Sequence, residues 1–566
     1  MKRISSLLLA LACMLAANAR VHLKKAGNAT QLHIDDTPFL ILGGELGNSS
    51  ASCNTDIETI FPKLARMNLN TVLVPAYWEL IEPAEGKFDH SLTEKAIDEA
   101  RKNNLKLVFL WFGAWKNSMS CYAPEWFKAD YRRFPRARTA AGRPLEIASA
   151  FSPEVLRADS KAFETWLKHI EAYDKENTVI MVQIENEIGM LEDARDHSGL
   201  ADTEYAKGVP AELMRHLAKD KKNLHPTLAG KWKSAGSKKA GSWTEVFGDD
   251  RYTDEYFMAW NYARYVEALA RIARGINADR PLYVNAALNS RGRRPGEYPS
   301  AGPLAHLKDI WHAAAPSVDF LSPDIYDTGF ADWVAQYALP DNPLFIPEVR
   351  RDARNAAQAY YVLGHHDAIG ISPFSIENGN DSTADPMVKA YAKLAEAMPL
   401  IAKHQGTDAM DGFLLTADKP DTVITDGDTR ITLSHYFTLP WDPRAKDGSV
   451  WPETGGILIK LSPDEYMLIG TGIVAKFEHI SEGTVAAGKL GEDGFLNSGS
   501  DRTENTQKAA DTARVGLAKV EEVAIAPDGS FKRVRTFNGD ETHQGRHVRI
   551  SVDDHKALHI KTYNYR

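Results

Sequence analysis

Short apolar runs recur along the first two-thirds of the chain, each bounded by turn residues or by an amphipathic stretch. They are FLILGG from Phe39, TVLVPA from Thr71, LKLVFLWFG from Leu105, TVIMVQI from Thr178, RPLYVNA from Arg280, VDFLSPD from Val318, NPLFIPE from Asn342 and AIGISPF from Ala368. Between them lie segments of helical period, such as TDIETIFPKLARMN at 55–68, SLTEKAIDEARKNN at 91–104 and YFMAWNYARYVEALARIAR at 256–274. Strands that are buried on both faces read as nearly unbroken apolar runs, and their alternation with amphipathic helices predicts a parallel sheet covered by helices. Eight such units over about 370 residues fit a (β/α)8 TIM barrel with insertions, with a doubly wound open sheet as the structural alternative.

The largest insertion is expected at about 190–252, where MRHLAKDKKNLHPTLAGKWKSAGSKKAGSW is polar, rich in Gly and Lys and only partly helical. Loops after barrel strands lie on the face where active sites form. Trp232 and Trp243 in this insertion read equally well as sugar-stacking rings and as anchors of the loop. After a last helix at 385–405 the pattern changes to alternating or β-branched runs (TRITLSHYF, GGILIKL, EYMLIGTGIVAKF, RHVRISV, ALHIKTYNY) separated by Asp, Gly and Pro. This predicts a smaller all-β, sandwich-like domain. The expected organisation is a catalytic barrel over 20–405 and a β domain over 406–566.

At the N-terminus, Lys2 and Arg3, an apolar run from Leu7 to Ala16 and then Ala17-Asn18-Ala19 follow the three-part order of a secretory signal peptide. Cleavage is expected after Ala19, with a buried N-terminal helix as the alternative, and the mature protein is expected to be secreted or periplasmic. The apolar run is too short for a membrane span. Loss of Lys2 and Arg3 leaves 65 basic against 76 acidic residues, a net charge of 65 − 76 = −11. No basic face stands out, which argues against nucleic acid and for a neutral ligand. Cys53 and Cys121 remain, as one disulfide or as two separate thiols. CxxC, HExxH, GxGxxG and phosphate-loop patterns are all missing, so neither a metal nor a cofactor is expected. Oligomeric state is left open.

The chemistry gathers at strand ends. In TVIMVQIENEIG, strand alternation points Gln183, Glu185 and Glu187 to one side, with Glu187 nearest the C-terminal mouth of a barrel. A carboxylate buried there costs several kcal/mol unless it is paired or protonated, and a raised pKa suits a proton donor. A second acid, Glu348, follows the apolar run that ends at Pro347. Pro-Glu also opens helices, as in APEWF at 123–127 and SPEVL at 152–156, so this position reads as a strand end or as a helix start. By count, Glu187 ends strand four and Glu348 strand seven, on opposite sides of a barrel mouth. Carboxyls about 5 Å apart there would make a retaining glycosidase, and a wider gap an inverting one.

The segment VIMVQIENEIG resembles the acid/base signature of glycoside hydrolase family 35, the β-galactosidases of clan A. NLNTVLVPAYWELIEPAEGKFD, from Asn68 to Asp89, is similar to the strand-two segment of that family through Trp78, Glu82-Pro83 and Gly86-Lys87-Phe88-Asp89. The resemblance covers about 36–400. It implies that Glu187 is the acid/base, because in this clan the acid directly follows an Asn, here Asn186. It implies further that Asn186 contacts the sugar 2-hydroxyl, that Glu348 is the nucleophile and that Glu185 lies behind the site. Tyr326 falls where clan members place a Tyr that hydrogen-bonds the nucleophile, or is a packed strand-end aromatic.

The sequence departs from the family after strand three. Where many members carry a sugar-binding Asn-Ala-Glu element, this chain has LWFGAWKNSMSCYAPEWF, and Met119 takes the place of the acid. Asn117 is kept as a binding residue, and Lys116 or Trp115 stands in for missing contacts. Tyr77, Trp78, Trp111 and Trp115 cluster near strand ends, some as stacking faces and some as core, and Glu45 binds hydroxyls or orders the loop after strand one. The implied activity is that of a metal-independent, retaining exo-β-galactosidase acting on galactosides of plant cell-wall oligo- or polysaccharides. The alternatives are another retaining β-glycosidase, acting on glucosides, arabinosides or internal bonds, and a non-catalytic carbohydrate-binding barrel.

Overall fold

A computed structural model describes residues 20–439, 441–481, 489–490, 496–497 and 513–566. The expected signal peptide, 1–19, lies outside them. Eight parallel strands close into a barrel in sequence order. They are strand one (Ile41–Glu45), two (Thr71–Tyr77), three (Lys106–Lys116), four (Val179–Asn186), five (Leu282–Ala287), six (Phe320–Ile325), seven (Phe345–Val349) and eight (Gly370–Pro373). Each expected apolar run supplies one strand, and closure removes the open-sheet alternative. A three-stranded sheet, Val21–Ala26, Ala29–Ile34 and Thr37–Phe39, precedes the barrel.

The chain divides into two compact units: Gln31–Phe39 and Val74–Leu321 belong to the first, and Leu40–Leu73 and the residues from Ser322 onward belong to the second. In the first, helix Pro153–Tyr173 starts with Pro153 behind Ser152, whose hydroxyl accepts from the Val155 N–H. This is the combination that satisfies the free donors of a first turn. The 26-residue helix Arg251–Ile276 is capped by Asp250, which accepts from Tyr252 and Thr253. The insertion after strand four folds into four short helices, Gly199–Tyr205, Ala211–Lys219, Pro226–Ser234 and Trp243–Phe247. Both of its tryptophans are buried. Trp232 Nε1 donates to the Lys238 carbonyl at 2.7 Å, and Trp243 stands edge-on to Phe257. They anchor the loop, and the stacking reading does not hold for either. Cys53 and Cys121 are both free thiols, so the expected alternative of a disulfide is not formed.

In the second unit a β-sandwich follows the last barrel helices. One sheet has six strands, in the order Met410–Leu415, Thr454–Ser462, Glu465–Thr471, Lys556–Tyr565, Arg514–Ile525, Phe531–Thr536. The other has four, Asp421–Asp426, Thr429–His435, Ile473–His479 and Val548–Ile550. Alternate inward residues of both sheets, among them Phe413, Leu433, Leu468, Ile473 and Leu558, form its core. Helix Asn355–His365 packs against strands Met410–Leu415 and Thr454–Ser462. A glycine pair makes the approach possible, since a Cβ on Gly364 would stand 2.8 Å from Gly412 Cα and 2.9 Å from Ile457 Cγ1. Tyr360 Oη and His555 Nδ1, 3.0 Å apart, and the Glu396 carboxylate accepting from Ile525 N–H at 2.7 Å add polar ties. Gly364→Val is expected to lower stability by about 1–3 kcal/mol through overpacking, read as a lower urea midpoint.

Candidate active site

The end of strand three and the end of strand four are stitched together. Lys116 N–H donates to the Met119 carbonyl at 2.8 Å and Met119 N–H returns to the Lys116 carbonyl at 3.0 Å, with Asn117 at φ +50° and Ser118 at φ +66° between them. Two positive φ values in a two-residue loop define a type I′ turn, and Asn is among the few side chains that enter it easily. The turn lies against the tip of strand four. Asn117 N–H donates to the Asn186 carbonyl at 3.1 Å, and Ser118 gives both its N–H (3.1 Å) and its hydroxyl (3.2 Å) to the Glu187 carbonyl.

Strand four leaves the extended conformation at Glu185, φ +57°, and again at Glu187, φ +46°. The period of two used in the sequence reading therefore stops at Glu185, and the two carboxylates go to different partners. Glu185 is fully buried and accepts from the backbone N–H groups of Trp115 (2.8 Å) and Ala114 (3.4 Å). Beside it lies the carboxyl of Asp159, from helix Pro153–Tyr173, which accepts from Trp111 Nε1 at 2.9 Å and Tyr265 Oη at 2.7 Å. Burial pushes both carboxyls above the usual range, and for Glu185 the charge of Asp159 adds to it. Two such groups in hydrogen-bond contact favour holding one proton between them. Glu187 is buried to 6% exposure, its backbone N–H donates to Asn285 Oδ1 at 2.9 Å, and its side chain accepts from Asn117 Nδ2. Asn186, fully buried, accepts at Oδ1 from Lys116 Nζ at 2.8 Å.

In the second unit, Glu348 sits inside strand seven, not at the start of a helix. Its neighbour Pro347 has no N–H to give, and the ladder to strand eight steps from Ile346–Ile371 to Val349–Pro373 across it. Glu348 is buried and lies in register with Asp324 of strand six. Its Oε2 accepts from Tyr326 Oη at 2.5 Å. Burial, and then the Glu348 charge, push the Tyr326 hydroxyl far above its ordinary value, so it stays a donor. Arg350 Nε and Nη2 hold the Tyr326 carbonyl at 2.9 and 2.8 Å, and Phe374 stands edge-on to its ring. Glu45 is fully buried at the end of strand one, bridged to Phe374 of the chain after strand eight.

The aromatic candidates divide. Asn117 is exposed at its turn and Tyr77 is buried at the end of strand two, tilted against Tyr122 and edge-on to Phe112. Trp115, expected to touch sugar, is fully buried edge-on to Tyr262 and Tyr265, and its backbone serves Glu185. Trp111 and Trp78 are core residues as well. Trp78 Nε1 donates to Glu82 Oε2 at 2.9 Å and Gly86 N–H to Glu82 Oε1 at 2.7 Å, so the Trp, Glu-Pro and Gly elements after strand two build an exposed turn anchored on the buried Trp78 and Glu82. Asn285, Asp159 and Asp324 were missed. Each is a polar side chain within or facing an apolar element, the same signal that marked Glu187.

Residues 50–289 match the family described as β-galactosidase, glycoside hydrolase family 42, and residues 387–549 match a domain of unknown function, DUF5597. The expectation of family 35 is thereby corrected. The Asn-Glu pair is common to the clan, so it marks the clan and not the family within it. The matched segment contains Asn186 and Glu187 and ends before Tyr326 and Glu348. No curated protein matches the chain. Similar solved structures include β-galactosidases from the haloarchaeon Halorubrum lacusprofundi (16% identity, 62% of this chain and 58% of that one, TM-score 0.43), from Marinomonas ef1 (15%, 65% and 60%, 0.44) and from Rahnella sp. R3 (14%, 65% and 57%, 0.43). The chain thus spans about three-fifths of the length of these structures.

Because the Asp159–Glu185 pair holds its proton more tightly when folded than when unfolded, its contribution is complete below the ordinary carboxylate range and falls as pH rises above it. Urea unfolding at about pH 5 and about pH 8 is expected to show a smaller loss across the interval for Glu185→Gln, which keeps a neutral donor, than for the native chain.

Proposed function

We propose that this chain is a secreted or periplasmic retaining exo-β-galactosidase with Glu187 as acid/base and Glu348 as nucleophile. One observation carries the reading: two buried acids end strands four and seven of one closed barrel, the end at which barrel enzymes do their chemistry. Their settings differ as the roles require. The Tyr326 hydroxyl, a permanent donor, holds one oxygen of Glu348 and so orients the carboxylate that attacks the anomeric carbon. Glu187 gives its proton to the glycosidic oxygen as the bond to the leaving group breaks. As a carboxylate it then takes a proton from water, which displaces Glu348 and releases the sugar with its configuration kept. Asn117, at the side chain of Glu187, holds the acid through both steps.

The family match over 50–289 supports galactose as the sugar. The type I′ turn that replaces the Asn-Ala-Glu element keeps a second reading open, a retaining β-glycosidase of other sugar preference. The mature protein, with Glu187→Gln and Glu348→Gln beside it, is assayed on aryl β-galactoside, β-glucoside and α-arabinoside. Each substitution is expected to lower turnover by at least about 10²- to 10⁴-fold. Turnover confined to another glycoside moves the assignment to that sugar, and full activity in either variant removes that acid from its role. By proton NMR the first sugar released from a β-galactoside is expected as the β anomer; an α anomer rules out retention.

A further inference from the structure

Lys116 is the last residue of strand three, its side chain is buried to 2% exposure, and it has no ion pair among the described residues. Its ammonium group meets Asn186 Oδ1 at 2.8 Å and stands 5.0 Å above the Phe112 ring. A buried, unpaired cation is costly, and the aromatic face offsets only part of that cost. Such a group needs a use. The residue is also held rigidly, because its backbone closes the turn that carries Asn117.

An ammonium has three N–H donors and no lone pair, so the atom it meets at 2.8 Å must be an acceptor. Of the two ends of the Asn186 amide only the oxygen qualifies. That contact sets the amide with Nδ2 as the end it presents elsewhere. We propose that Lys116 is a positioning residue that sets the polarity of Asn186, so that the side chain beside the acid/base donates to an oxygen of the substrate and does not accept from it. The inference rests on the reading of the site as that of a retaining glycosidase in which Asn186 faces the sugar 2-hydroxyl. In such enzymes the hydrogen bond at that hydroxyl strengthens as the oxocarbenium-like transition state forms. A wrongly turned amide costs rate more than ground-state binding.

The test compares an aryl glycoside with its 2-deoxy analogue, which has no oxygen for Asn186 to meet. Lys116→Met keeps length and apolar bulk but removes the donor. On the parent glycoside kcat/KM is expected to fall about 10- to 100-fold, with the loss in kcat and KM little changed, the size of one hydrogen bond to a charged group. On the 2-deoxy analogue the same substitution is expected to change the rate less than about threefold. Lys116→Arg, which keeps a charged donor, is expected to recover part of the loss on the parent. Equal losses on both substrates would show that Lys116 only supports the fold and would overturn the proposal. Where the Met variant does not fold, Lys116→Leu, which also lacks a donor, carries the same comparison. If the native chain is inactive on galactosides but hydrolyses another glycoside, the sugar assignment fails alone and the comparison is made with the 2-deoxy form of that glycoside. A native chain inert on every glycoside overturns both.

Discussion

Glu185 and Glu187 hold backbone conformations that cost about 1–3 kcal/mol each for residues with a side chain. Such positions persist only where the surroundings over-determine them, and here the surroundings are one turn. The Lys116–Met119 loop gives the N–H groups of Asn117 and Ser118 to the carbonyls of Asn186 and Glu187, while the backbone ahead of it binds the Glu185 carboxyl. The tip of strand four is thus held from its main chain on one side and from a buried side chain on the other. The positions of Asn186, Glu187 and Asn117 all follow from that stitch. So does the burial of Lys116, whose backbone closes the turn.

Two acids two residues apart have opposite fates because of this bend. Had strand four stayed extended, Glu185 and Glu187 would share one face and one environment. The left-handed residue at 185 sends its carboxyl to the backbone of Ala114 and Trp115 and to Asp159, which Trp111 and Tyr265 hold in turn. Glu187 instead accepts from the amide of Asn117, the exposed residue of the turn. On strand seven, proline plays the comparable part, interrupting the ladder where Glu348 meets the Tyr326 hydroxyl.

Much of this was legible in the sequence, for reasons that differ from residue to residue. The eight strands showed because strands covered on both faces have almost no polar choice. The sheet of Val21–Phe39 did not, because VHLKKA and ATQLHI mix charge and bulk without a clear period. Glu348 was ambiguous while Pro-Glu read as a helix start, and only the three apolar residues before Pro347 distinguished it. Tryptophans in the insertion gave no direction, since a ring in a polar loop looks the same whether it faces a ligand or plugs a gap. Strand alternation put Glu185 on the side of Glu187, and only the resemblance placed it behind the site, because no residue in QIENEI announces a left-handed bend. The branch within the clan was not legible, because the Asn186-Glu187 pair marks the clan alone.

The glycine pair Gly364–Gly412 brings the outer surface of a barrel helix within backbone distance of a sandwich strand. Where main chain meets main chain at this distance, few side chains are left to rearrange, so the contact tolerates little drift. The β-sandwich is therefore poorly suited to behave as a cassette that recombination can attach to other barrels, or that a designer can trim away. Within the second unit, barrel helices and sandwich would have to be inherited together, and change in this lineage would fall instead on the loops after the strands.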